Sequence, residues 1–261
     1  MCLILFAYDT HPHLRLVLAA NRDEYYRRPT APADFWPDCP HILAGRDLAH
    51  YGTWMGVTRS GRLAAITNYR APSTLKTNAP SRGRLVSDFL AGDTPPDAYL
   101  RQIASMADQY NGFNLIIGDP EDLFYYSNQS RNIMQLSPGV YGLSNHLLDT
   151  PWPKVAKGKQ RLRQLLSDGT PPVPEPFFHL MRDQTVPPDA QLPDTGVGLP
   201  LERLLGSVFI KSPGYGTRNT TLLFWEKHDR LDFYEQTWET ASAAPQPGEL
   251  RHFRLDICGQ S

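Results

Sequence analysis

The apolar residues fall first into two nearly continuous runs, Cys2–Tyr8 and residues 14–20, parted by Asp9-Thr-His-Pro-His13. Both runs favour extended structure and the polar break is a turn signal, so the pattern predicts an antiparallel hairpin. A half-solvated strand alternates apolar with polar residues; these do not, and strands covered on both faces are expected. Residues 53–58 and 63–67, on either side of Ser60-Gly61, predict a second hairpin, with residues 21–41 read as an ordered loop between the two.

At residue 81 the period changes. Leu85, Val86, Phe89 and Leu90 recur at helical spacing between Ser81, a suitable N-cap, and Gly92, a suitable stop. A second helix is expected over residues 97–108, with Leu100, Ile103, Ala104 and Ala107 on one face. Strands are expected again at 113–117, 123–126, 132–136 and 140–143, then a helix at 154–166. Residues 171–200 hold eight of the 24 prolines, too many for regular structure. Phe177, Phe178, Leu180 and Met181 give that segment enough apolar surface to pack, so an ordered loop with short helices is expected. Residues 207–211, 220–225, 231–235 and 250–255 complete the strands. Strands, then helices, then strands, mostly joined as hairpins, imply an α+β fold of antiparallel sheets, in one domain spanning residues 1–261.

Composition narrows the function. With 261 residues, 41% of them hydrophobic, the chain can close a sizeable core. Lys and Arg number 26 against 27 Asp and Glu, so no field exists to hold a phosphate backbone, and no nucleic-acid partner is expected. No apolar run approaches the roughly 20 residues of a membrane helix, and no polybasic segment stands in for one; no stable membrane insertion is expected. The first apolar run has neither a basic leader nor a small-residue cleavage site, which points to the cytoplasm. No oligomeric state follows from the sequence.

Cys2, Cys39 and Cys258 are too few and too scattered for a disulfide framework or a zinc site. Cys2, however, directly follows Met1. Loss of Met1 leaves a thiol and an α-amine on one residue, and an amine with a pKa of roughly 7.7 to 8.0 can act as general base for its own thiol. Such a site also needs groups that orient the amine, donors for an oxyanion and charge or hydrogen bonds that stabilise the thiolate.

Ala19-Ala-Asn-Arg-Asp-Glu24, Gly52-Thr-Trp-Met-Gly56, Thr67-Asn-Tyr69, Tyr110-Asn-Gly-Phe-Asn114, Gly142-Leu-Ser-Asn145, Thr150-Pro-Trp152 and Pro213-Gly-Tyr-Gly-Thr-Arg218 resemble, in order, the motifs of the NRDE family, also called the transport and Golgi organisation family. The resemblance spans roughly residues 1 to 255. More distantly, and on shorter stretches, the chain is similar to cysteine N-terminal-nucleophile (Ntn) hydrolases of the penicillin V acylase and bile salt hydrolase type. That resemblance implies a four-layer αββα sandwich and a hydrolase or acyltransferase acting on a non-peptide amide or thioester through an acyl-cysteine, with no cofactor required. It implies that Cys2 attacks, Asp23 holds the α-amine, Asn68 and Asn145 orient the amine and bind the oxyanion, and Arg218 lowers the thiol pKa. Asn21, Arg22, Glu24 and Tyr69 are supporting candidates. The hydrolases carry an arginine three residues before the aspartate, where this chain has Ala20. Its own Arg22 is adjacent to Asp23, and one step along a strand points to the opposite face.

Plainer readings exist for each residue. Cys2 taken alone is an ordinary buried strand cysteine; Arg22-Asp-Glu24 can be a surface ion-pair network; Asn68 and Asn145 can close Asx turns; Arg218 can be solvated, and Gly214-Tyr-Gly216 a tight turn only. A different class of function is non-catalytic carriage or trafficking of haem or a lipid or acyl-CoA ligand in the same pocket, a role with which the NRDE family has been linked. Phe35-Trp36, Phe177 and Phe178 would line it, and Cys39-Pro40 would be a thiolate ligand for haem. His11 and His13 form a weak metal pair, and no metal site is expected. No G-x-S-x-G elbow, P-loop or dinucleotide fingerprint is present.

Overall fold

The computed structural model describes residues 2–228, 230–239 and 246–257; Met1, whose removal would free the Cys2 amine, and Cys258 lie outside the described residues. In chain order the elements are β1 (Cys2–Tyr8), β2 (Leu14–Tyr25), β3 (Thr30–Trp36), β4 (Cys39–Asp47), β5 (Met55–Thr58), β6 (Leu63–Asn68), α1 (Gly83–Ala91), α2 (Pro96–Met106) and β7 (Phe113–Gly118). They continue with β8 (Leu123–Ser127), β9 (Asn132–Gln135), β10 (Gly139–Leu143), α3 (Pro153–Leu165), α4 (Pro174–Met181), α5 (Leu199–Leu205), β11 (Lys211–Ser212), β12 (Tyr215–Glu226), β13 (Arg230–Glu239) and β14 (Gln246–Asp256). They form two compact units, one from described residues within 1–27, 138–144 and 148–255, the other within 28–137, 145–147 and 256–261.

The first unit contains a seven-stranded sheet in the order β10-β1-β2-β12-β13-β14, with β11 paired to β12. Leu3, Leu5 and Ala7 of β1, Val17 and Ala19 of β2, and Leu222 and Phe224 of β12 pack with Val155 and Leu162 of α3 and Phe177 and Phe178 of α4. The alternate residues, Cys2, Ile4, Phe6, Leu18, Ala20 and Leu223, are buried as well. Burial of both faces is what the unbroken apolar runs of β1 and β2 require.

The second unit is a seven-stranded meander, β3 through β9 in sequence order. Ile42, Ala64, Ile66, Leu115 and Ile117 pack against Leu85, Val86, Phe89 and Leu90 of α1 and Leu100 and Ile103 of α2. Tyr99, rather than the exposed Ala104, completes the α2 face, and its hydroxyl donates to the Leu85 carbonyl at 2.9 Å. Gly52 and Gly83 let the β4–β5 connection run against the start of α1: a Cβ on Gly52 would lie 2.6 Å from the Gly83 carbonyl carbon, a distance no side chain tolerates.

Three expectations are corrected. Residues 21–41 are not a loop: β2 runs on to Tyr25 and β3 pairs with β4. Pro32 suggests a break, but β3 is an edge strand, where a missing N–H removes no ladder bond, and the register shifts beside it. Ser81 does not cap α1, whose N-cap is Arg82 with no side-chain cap bond. Residues 207–211 are irregular apart from the short β11, while β12 begins at Tyr215. The short helices expected within 171–200 are present as α4 and the start of α5. Among the described residues, no helix is long and apolar enough to cross a membrane.

Candidate functional site

Cys2 opens β1 and is buried. Antiparallel partners directly opposite one another share a face, and the register pairs Cys2 with Arg22 and Leu3 with Asn21. Arg22 therefore lies on the Cys2 face. The Ser144 hydroxyl donates to the Cys2 carbonyl at 3.3 Å. Burial pushes the Cys2 thiol above its ordinary pKa; the Asp23 charge adds to this, while Arg22 and a hydrogen bond from the Asp23 backbone oppose it. Burial thus favours the protonated form of the Cys2 thiol.

Asp23 is buried, and Thr217 of β12 donates to its Oδ1 at 2.7 Å. The same Thr217 oxygen accepts the Ile210 N–H at 3.0 Å, so the hydroxyl proton is directed at the carboxylate. Register shifts between Thr217 and Asn219. Arg218 occupies that irregularity, half-buried, with Nη1 3.4 Å from the Tyr25 carbonyl. A bulge re-aims a side chain in this way. Burial and the nearby Arg22 charge lower the Arg218 pKa, with Glu24 and Tyr26 opposing them. Glu24 also receives the Tyr25 N–H at 2.8 Å. Tyr26, whose pKa burial raises, feels both Asp23 and Arg218. The Gly-Tyr-Gly motif has two distinct causes: Gly214 turns with φ +81°, and a Cβ on Gly216 would lie 2.3 Å from the Tyr26 hydroxyl.

Asn21 belongs to the opposite face. Its Nδ2 donates to the Met181 and Val208 carbonyls at 2.8 and 2.9 Å, and its Oδ1 accepts from Thr220 at 2.6 Å. It anchors the helix layer and does not face Cys2.

Asn68 and Asn145 lie in the second unit. Asn145 is fully buried; its Nδ2 donates to the Asn68 carbonyl at 2.9 Å, and its carbonyl accepts the Arg70 N–H at 2.7 Å. Asn145 thus fixes the end of β6. The Asn68 side chain is half-buried and none of the described residues engages its amide by a hydrogen bond. Tyr69 lies against His146 with ring centroids 4.8 Å apart; burial raises the Tyr69 pKa and lowers that of His146.

Several polar residues at these strand ends were not singled out by sequence reasoning. Asn114 is fully buried and donates to Thr67 Oγ1 and the His146 carbonyl at 3.1 and 2.9 Å, while Tyr125 donates to its Oδ1 at 2.8 Å. Thr217 and Asn114 stand inside quoted motifs, which was the available signal; Ser144 does too. Asn219, Glu235 and Tyr26 carried no such signal.

The aromatic residues proposed to line a carrier cavity are engaged in packing. Phe177 and Phe178 belong to the first unit's core and Trp36 to the second's, where its Nε1 donates to the Ala44 carbonyl at 3.0 Å. Phe35 lies under the Arg59 guanidinium at 3.9 Å. Cys39 is half-buried against the second core. His11 is engaged by the Thr170 carbonyl and the His13 N–H.

Residues 1–240 match the model of the family described as Transport and Golgi organisation 2. The chain is 36% identical over 270 residues to a Transport and Golgi organization protein 2 homolog from Bos taurus, covering 93% of this chain and 98% of that protein. To the Homo sapiens homolog it is 36% identical over 268 residues, covering 92% and 97%. Among solved structures it is similar to the C2A mutant of a conjugated bile acid hydrolase from Clostridium perfringens, with a TM-score of 0.50 and 10% identity over 100% of this chain and 99% of that one. At that identity the likeness shows the fold, which is the Ntn-hydrolase fold expected from the sequence.

Proposed function

The chain belongs to the Transport and Golgi organisation 2 family, and from that premise we propose that it is an N-terminal-cysteine hydrolase or acyltransferase of a non-peptide amide or thioester. The observation that carries this reading is the setting of Cys2. A buried thiol at the first position of a central strand sits opposite Arg22, takes a hydrogen bond from the Asp23 backbone and has its own carbonyl held by Ser144.

In the proposed cycle the α-amine exposed by loss of Met1 takes the thiol proton as the sulfur bonds to the acyl carbon. The oxyanion is assigned to Asn68 and Asn145, on the resemblance and, for Asn68, on an amide no described residue uses. Collapse breaks the bond to the leaving nitrogen or sulfur, which receives the proton from the ammonium. Water, or an acceptor in the transferase case, then gives its proton to the amine and attacks the acyl-cysteine. The C–S bond breaks and the ammonium returns the proton to sulfur. The amine is assigned to Asp23 on the resemblance; its carboxylate, held by Thr217, leaves β2 on the face opposite Arg22 and the Cys2 side chain, while Arg22 and Arg218 supply positive charge. Turnover of a chromogenic acyl amide or thioester that vanishes in Cys2→Ala is the expected result; equal turnover in that variant would exclude the mechanism.

A further inference from the structure

Two buried oxygens on the Cys2 face of the first unit's sheet have no hydrogen-bond partner among the described residues: Asn219 Oδ1 and Thr221 Oγ1. Asn219 is 7% exposed and Thr221 1%. Register places them. Asn219 pairs with Arg22, which pairs with Cys2, and Thr221 pairs with Ala20 on one side and Glu235 on the other. Cys2, Arg22 and Asn219 therefore form one row across three strands, with Thr221 and Glu235 in the next row on the same face.

The Asn219 amide has a defined orientation. Its Nδ2 donates to a carboxyl oxygen of Glu235, and Oδ1 is the atom left without a partner among the described residues. Glu235 is itself 1% exposed. The next residues of β12 on this face, Leu223 and Trp225, carry large side chains; the Trp225 indole N–H is likewise without a partner among the described residues, and an apolar pair at 219 and 221 would leave no acceptor unsatisfied. Keeping two unsatisfied acceptors in succession beside Arg22 costs stability, and a ligand that donates to them would offset that cost.

We propose that Asn219 and Thr221 form a specificity subsite for a hydrogen-bond donor, an N–H or O–H, carried by the substrate about 10 Å from its reacting carbonyl, the distance of two strand spacings. Glu235 is the positioning residue that holds the Asn219 amide. The substrate class rests on the hydrolase reading above.

The test pairs turnover with melting, using Asn219→Leu and the near-isosteric Thr221→Val. Two matched thioester pairs are compared, differing only in a hydroxyl or a methyl about 10 Å from the carbonyl, on the acyl chain in one pair and on the leaving thiol in the other. The wild-type chain is expected to favour the hydroxyl member of one pair by roughly tenfold or more in kcat/KM, as a site with unpaired polar groups does. Both variants lose that preference through KM. Without substrate, Thr221→Val is expected to melt about 2–4 °C higher, because it removes an unsatisfied buried group. No preference in either pair, or a preference unchanged in both variants, overturns the subsite and leaves the hydrolase reading standing. A lower melting temperature for Thr221→Val also overturns it, since the hydroxyl is then satisfied by the fold. Wild-type protein that turns over neither pair contradicts the hydrolase reading and the substrate assignment with it.

Discussion

Two buried asparagines, one in each unit, are treated in opposite ways. Asn114 is satisfied on both sides of its amide, by Thr67, His146 and Tyr125. Asn219 is held by Glu235 through its nitrogen, and its oxygen has no partner among the described residues. A completed buried network stiffens a fold; an incomplete one costs stability and persists where something else completes it. The contrast separates the residues that build these strand ends from those available to a ligand. It recurs between Asn145, whose amide ties down β6, and Asn68, whose amide no described residue engages.

Removing the proposed nucleophile has the largest expected effect: Cys2→Ala loses all turnover and forms no acyl-enzyme, while its melting temperature stays within a few degrees of wild type. Next, Asn68→Ala lowers kcat by about 10² to 10³ if its amide donates to the oxyanion, with little change in stability. Asn145→Ala should lower the melting temperature as well, and equal stability losses in the two variants would erase the distinction drawn between them. Asn114→Leu removes the hydrogen bonds to Thr67, His146 and Tyr125, at about 0.5–1.5 kcal/mol for each bond lost; denaturant titration reads the sum, and a neutral result would remove Asn114 from the architecture.

The smallest expected effects are on pH dependence, and they have opposite signs. The Cys2 pKa is raised in the folded chain. Its contribution to stability is therefore complete below the unfolded thiol value, near 9.0, and is lost as pH rises through the folded value. The His146 pKa is lowered from 6.5 by burial, so its contribution is present above 6.5 and is lost as pH falls through the folded value. Cys2→Ser should flatten the alkaline limb of a stability profile, and His146→Phe the acid limb; limbs unchanged by both substitutions would assign the titrations elsewhere.

The second unit was largely legible because its strands pair with their neighbours in sequence, so each hairpin signal also announced a contact. The exception, β3 and β4, was hidden by Pro32, which the edge strand β3 tolerates. The first unit joins β2 to β12 across most of the chain, and its register has no local signal. Counting strand alternation from Asp23 put Arg22 on the opposite face, but it could not say which of the two faced Cys2. The pairing of Cys2 with Arg22 settles that, and it sends Asn21 to the helix layer. Asp23, Arg218, Asn68 and Asn145 were found through motifs. Asn219 and Glu235 matter through burial and a shared face, properties that exist only once β12 and β13 have paired.

The most direct test of the central claim is the intact mass of freshly purified protein, before and after exposure to a short acyl thioester. The expected product is a chain lighter by one methionine that gains one acyl group, mapped to Cys2. A chain that retains Met1, or one that lacks it and takes no acyl group, would contradict an N-terminal cysteine nucleophile.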